Sequence, residues 1–253
     1  MLDSVAIGEV FASPPALAFY DAIVDADQGE GVAVLFGNYA GDNMNVKMAV
    51  QMAEDDDIEV KYVVANDDVA SAPKAVKEQR HGIAGGFFMW KVGGARAAKG
   101  GSLDDVIASA QNVVNRTKSI CVGLEPCVIP ALGHSNFKIE DGTMEFGVGH
   151  HGEAGTKVEK LKSASEMAQE MAETILNDFD FEEGKEVAVM LSSLGATPVM
   201  ELYVLYDEVE KVLAKAGHKV WKTYIGNYVT SLDMNGASPV SYTHLRAHET
   251  TLH

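Results

Sequence analysis

The chain has 253 residues, enough for one large or two ordinary domains, and its 47% hydrophobic content can fill a substantial core. A formal net charge of −17, with a pI near 4.8, argues against nucleic acid, whose phosphates need a basic face, and against anionic membranes. No apolar stretch approaches the length of a membrane span, no secretory signal pattern opens the sequence, and Cys121 and Cys127 are too few for a disulfide framework, so a cytoplasmic protein with buried thiols is expected.

In chain order, the apolar run 31–36 predicts a fully buried strand of the parallel type, because it does not alternate. Residues 43–54 carry Met44, Val46, Met48, Ala49 and Met52 at mostly helical spacing, and the methionines are expected to fill core gaps. Asp55, Asp56 and Asp57 end that helix, and 59–64 predicts the next strand, giving a β-α-β unit of the length a right-handed crossover requires. After a loop bearing Asp67 and Asp68, the apolar stretch 83–98 predicts a buried helix. Ser102 suits the N-cap of a helix over 103–116, with Asp104 and Asp105 in its first turn. A strand over 119–124 follows.

From Glu125 to Gly155 the chain turns to Gly, Pro and short strands, which reads as entry to a second domain. An amphipathic helix over 163–176 aligns Met167, Met171 and Ile175 on one stripe. A strand over 186–191 comes next, then a helix capped by Thr197 with Pro198 at its first position and running to about Ala216, then a strand over 219–225. Alternating β and α elements predict an α/β protein of two α/β domains with largely parallel central sheets, divided as 1–124 and 125–240. Residues 241–253 show no defensible helical or strand period and are expected to be a tail foreign to the fold.

Two glycine-flanked loops carry groups fit for proton or nucleophile chemistry. The first, Gly37-Asn38-Tyr39-Ala40-Gly41-Asp42, follows the strand over 31–36, which places Asp42 at a carboxyl end where open α/β sheets bind ligands. Asp42 also suits a helix N-cap, a reading compatible with a site role. The second, Gly149-His150-His151-Gly152-Glu153-Ala154-Gly155, sets His151 between glycines that admit a ligand close to the backbone, with Glu153 able to orient the ring. No metal site is expected. Cys121 and Cys127 lack zinc spacing, and His244, His248 and His253 lack the carboxylate of an H-E-x-x-H pattern. Gly195-Ala196-Thr197 has neither a Walker lysine nor G-x-G-x-x-G spacing, so no nucleotide motif is read.

These two loops resemble the NYxGD and HGExG motifs of the dihydroxyacetone kinase family, in its substrate-binding subunit or domain. The resemblance extends, in the family's order, through Gly8 to Pro14, Asn66 to Ala70, Pro126 to Ala131, Leu194 to Pro198 and Gly226 to Met234. It implies an architecture shared with fatty-acid-binding DegV-like proteins, and capture of dihydroxyacetone or a similar short ketose as a hemiaminal on His151. Asp42 would address the hydroxyl to be phosphorylated. It also implies a homodimer, and a separate helical nucleotide-binding subunit or domain that holds ATP-Mg or a phosphorelay ADP, so that this chain binds no cofactor of its own. Asp67 and Asp68 then read as a structural loop, because the family's metal-nucleotide aspartates lie on that partner. Two positions depart from the family: Gly37, grouped with Asp42 and His151 as substrate-binding, stands where a basic residue is common, and Ala154 replaces a usual proline. The resemblance further implies that the chain lacks an N-terminal glycine-rich loop bearing another histidine. Two rivals stay open, a ketose-sensing coactivator of the same fold and a lipid-binding protein of related architecture.

Overall fold

The computed structural model describes residues 1–179 and 186–243. Its elements are α1 (Ala16–Ala26), β1 (Val32–Gly37), α2 (Ala40–Asp55), β2 (Val60–Ala65), a 3-10 segment (Lys74–Gln79), α3 (Gly86–Ala98), α4 (Leu103–Asn115), β3 (Thr117–Ser119), β4 (Val122–Glu125), β5 (Thr143–Phe146), β6 (Lys157–Lys160), α5 (Ala164–Asp178), β7 (Glu186–Ser193), α6 (Val199–Lys215), β8 (Lys219–Gly226) and β9 (Asn235–Thr243).

The β1–α2–β2 unit forms as its pattern predicts, with β1 and β2 paired in parallel from Val32↔Val60 to Gly37↔Ala65. On α2 the buried positions are Val46, Ala49 and Ala53, whereas Met44 and Met48 are exposed, so those methionines do not fill the core. The apolar face is set by the 46–49–53 spacing, and Met44 and Met48 fall off it. Ser102 and Ser163 each form a reciprocal capping box, with Asp105 and Glu166 respectively, which fixes the starts of α4 and α5. Thr197 is not a cap: Pro198 holds that position without a side-chain bond, and the Thr197 hydroxyl bonds Asn235 and Gly236 instead. Residues 16–26, for which the sequence predicts no element above, form α1, which packs Phe19 and Ile23 against α2 and β1.

Among the described residues the larger sheet has seven strands in the order β6-β5-β4-β9-β7-β8, with β3 also paired to β9. The α/β class holds, but this sheet is mainly antiparallel: only β7–β8 runs parallel, while β9 inserts antiparallel between β4 and β7. β9 also corrects the expected tail. Ser241, Tyr242 and Thr243 are buried and pair with β7 and β3, so the fold continues at least through Thr243; residues 244–253, with His244, His248 and His253, lie outside the described residues.

The expected boundary after Leu124 cuts β4, and strands from both sides of it share one sheet. The core is shared too. On β7, Val187, Val189 and Leu191 face α5 and α6, while Ala188 and Met190 face a cluster built from Val63, Ala65, Phe88, Met89, Val113 and Val240. A strand buried on both faces explains why its sequence reads as one apolar run. The loop after β2 meets the larger sheet through an isolated parallel bridge between Asp68 and Ser119 of β3.

Candidate active site

Both glycine-flanked loops open onto one cavity of about 550 Å3, beyond the carboxyl ends of β1 and β2. Gly37, Tyr39, Asp42, His150, His151 and Glu153 all line it, so the sites predicted at Gly37, Asp42 and His151 come together. Phe11, Ser13, Ile83, Trp90 and Val229 complete much of the wall.

Asp42 lies in the first turn of α2, where a carboxylate is favoured by the helix dipole. It is not the N-cap, since the helix starts at Ala40 and Tyr39 occupies the cap. Its Oδ1 accepts a hydrogen bond from the Ser13 hydroxyl at 3.1 Å. Asn38 anchors the same loop by donating to the carbonyls of Glu78 and Arg80 at 3.1 and 2.7 Å. Gly37 is dictated by close approach: a Cβ there would sit 2.8 Å from the Gly82 carbonyl oxygen. Any side chain at this position would collide with the backbone of the 82–86 turn. That turn is held from below by Asp67, whose carboxylate accepts from the amides of Ile83 at 3.1 Å and Gly85 at 2.7 Å and from the Ser119 hydroxyl. Asp67 is thus a buried structural group that shapes the cavity wall.

His151 sits in the loop joining β5 to β6, closed by the Thr156 amide donating to the Phe146 carbonyl at 2.8 Å. Glu153 folds back over this loop. One carboxylate oxygen accepts from the His151 backbone amide and the other meets Nδ1 of the ring, both at 2.8 Å. Gly149 makes room for it, because a Cβ at that position would lie 2.2 Å from Glu153 Oε2. Burial would raise the Glu153 pKa, but the bonds from the His151 ring and from backbone amides outweigh it and bring the group down to about 2. The carboxylate is therefore ionised and can only accept, which makes Nδ1 the donor and leaves Nε2 with a free lone pair in the neutral ring.

The ring is also held sideways. Phe11 and Tyr39 pack edge-on against it at 5.1 and 4.8 Å between centroids, and Tyr39 stacks on His81 at 4.7 Å. Such contacts contribute about 0.5–1.5 kcal/mol each and fix orientation. Phe11 and Tyr39 lie within the segments 8–14 and 37–42, but nothing in their spacing announces a contact between residues so far apart in sequence. Among the described residues no group of three or more His, Cys, Asp or Glu is placed to hold a metal ion. No helix among them is long and apolar enough to cross a membrane.

A profile of the Dak1 domain matches residues 1–252. The chain belongs to the Dak1 domain family. A Dak1 relative from Listeria innocua, the dihydroxyacetone-binding subunit DhaK of PTS-dependent dihydroxyacetone kinase 1, is 39% identical over 238 residues, which cover 94% of this chain and 72% of the relative. Two solved Dak1-type structures superpose closely. The dihydroxyacetone kinase operon co-activator DhaQ gives a TM-score of 0.86 at 28% identity, covering 92% of this chain and 72% of the other. The dihydroxyacetone kinase of C. freundii gives 0.84 at 27% identity, covering 95% and 43%. A fatty-acid-loaded DegV protein from Eubacterium eligens shares the fold alone, at a TM-score of 0.54 and 10% identity over 92% of this chain and 79% of the other.

Proposed function

We propose that this chain is the substrate-binding subunit or domain of a dihydroxyacetone-type kinase. The observation that carries this reading is the Glu153–His151 pair facing the same cavity as Asp42. His151 Nε2 adds to the ketone carbon of a short keto sugar. The carbonyl π pair moves to oxygen, which takes a proton, and the ring gives up its Nδ1 proton through Glu153; no water is lost, and the product is a hemiaminal. Glycerol has no carbonyl to attack, so the same bond selects ketoses over polyols of equal size. Asp42 accepts the proton of the terminal hydroxyl as its oxygen attacks phosphorus, a role in which a positioned carboxylate contributes about 10²–10⁴-fold.

The phosphoryl donor, ATP-Mg or a phosphorelay through ADP, is held by a helical nucleotide-binding partner subunit or domain. Met44 and Met48, exposed on the helix that bears Asp42, give that partner an apolar contact beside the reacting hydroxyl. The chain forms a homodimer, for which the exposed Val199, Met200, Tyr203 and Val204 of α6 offer an apolar face. A cytoplasmic setting accords with two free, buried cysteines.

The test is phosphorylation of dihydroxyacetone by the purified chain with its nucleotide-binding partner. Wild type turns over, and Asp42→Asn loses about 10²–10⁴-fold in kcat while still capturing the ketose. The DhaQ likeness supports a second reading, a ketose sensor that regulates without transferring phosphate; it predicts capture but no turnover with a competent partner.

A further inference from the structure

Two buried polar atoms on the cavity's lining residues have no hydrogen-bond partner: His150 Nε2 and Tyr39 Oη. Buried polar groups are nearly always paired, so an orphan at a binding site calls for a partner that arrives with the ligand. Tyr39 has a further task, packing against the His151 ring. The His150 side chain has none that the fold supplies. It is only 8% exposed, yet its main chain alone is tied down, through the Ser231 hydroxyl donating to its carbonyl. It adjoins the ring that receives the ketone.

We infer that His150 is a specificity-determining residue, whose imidazole exchanges a hydrogen bond with a hydroxyl of the captured keto sugar other than the one Asp42 addresses. This rests on the reading of His151 and Asp42 given above. Burial, together with the neighbouring His151, brings the His150 pKa down to about 4, so the ring is neutral at ordinary pH and offers one donor and one acceptor. A neutral ring suits an uncharged sugar hydroxyl, and it adds no positive charge beside the nucleophile.

The test pairs a side-chain deletion with a ligand deletion. Dihydroxyacetone and hydroxyacetone share the carbonyl, but hydroxyacetone lacks one hydroxyl. Affinity for both is measured calorimetrically on wild type, His150→Phe and His150→Gln, with circular dichroism to verify the fold. The expected result is that His150→Phe weakens dihydroxyacetone about 3- to 10-fold, the worth of one hydrogen bond, and weakens hydroxyacetone distinctly less. His150→Gln, which keeps a polar group near the same place, recovers most of the loss, and His150→Leu replaces the phenylalanine variant if that one does not fold. Equal penalties for both ligands, or none, overturn the inference while leaving ketose capture intact. Failure of wild type to bind either ligand overturns the reading of the site and this inference with it.

Discussion

Glu153 acts on His151 in two ways: it fixes the ring's orientation and it fixes which nitrogen keeps the lone pair. Replacing it by glutamine keeps the shape but removes the charge, and an amide can present a donor where only an acceptor works. Glu153→Gln is expected to slow ketose capture by about 10- to 100-fold, the range for a hydrogen bond to a charged group; stopped-flow or quenched capture rates check it. His151 and Asp42 were legible in the sequence as candidates, because each sits in a short glycine-flanked motif, and both line one cavity. The aromatic clamp of Phe11 and Tyr39 was not, since it depends on bringing the N-terminal segment, α2 and the β5–β6 loop to one point. Nor was the reason for Gly37, which lies in a backbone approach to Gly82 that no local pattern encodes.

β9 shows what element-level reading misses. Its sequence, with Gly236, Ser238, Pro239 and Ser241, has poor strand propensity, and a proline argues against a central strand. The structure accommodates it at the break between β3 and β4, where Ile120 lies opposite. The Ile120 amide donates to the Pro239 carbonyl at 3.4 Å, and the Ile120 carbonyl, which proline cannot serve, accepts from the Ser238 hydroxyl at 3.1 Å. Ser238→Ala leaves that buried carbonyl unpaired and is expected to cost about 1–3 kcal/mol, measurable by urea denaturation. By contrast, β1, α2 and β2 and the Ser102 cap were legible to within a few residues, because hydrophobic period and capping chemistry are local signals. The mainly antiparallel larger sheet was not: alternating β and α elements suggest parallel pairing, and it is the return of the last strand between β4 and β7 that reverses it.

Across the whole molecule the two sheets are joined by α3 and α4, whose apolar faces contact both, and the cavity lies where the loops of both sheets meet. Two groups with shifted titration, His150 and Glu153, lie at that cavity, and a third, the buried Asp68, lies outside its lining. His150 ionises near 6.5 in an unfolded chain but only near pH 4 in the folded one, so the unfolded state binds the extra proton between those values. The contribution of His150 to stability therefore falls as pH drops through that window, while Asp68, raised by burial to about 7, takes up its proton in the folded state there and acts in the opposite direction. Glu153 adds a second loss below it, as pH falls from about 4.5 toward about 2 and the carboxylate that holds His151 is protonated. Across the upper window the denaturation midpoint of wild type should lose ground, as pH falls, relative to that of His150→Phe, since Asp68 acts alike in both. An identical slope in both would show that the acid sensitivity lies elsewhere.

The most direct measurement is intact mass after incubation with dihydroxyacetone and rapid quench, for wild type beside His151→Ala. Covalent capture on His151 gives a gain of the full mass of the ketose, without loss of water, that disappears in the variant. A folded wild-type protein that shows no adduct, under a quench that preserves a hemiaminal control, would contradict covalent capture and leave a non-covalent binding protein in its place.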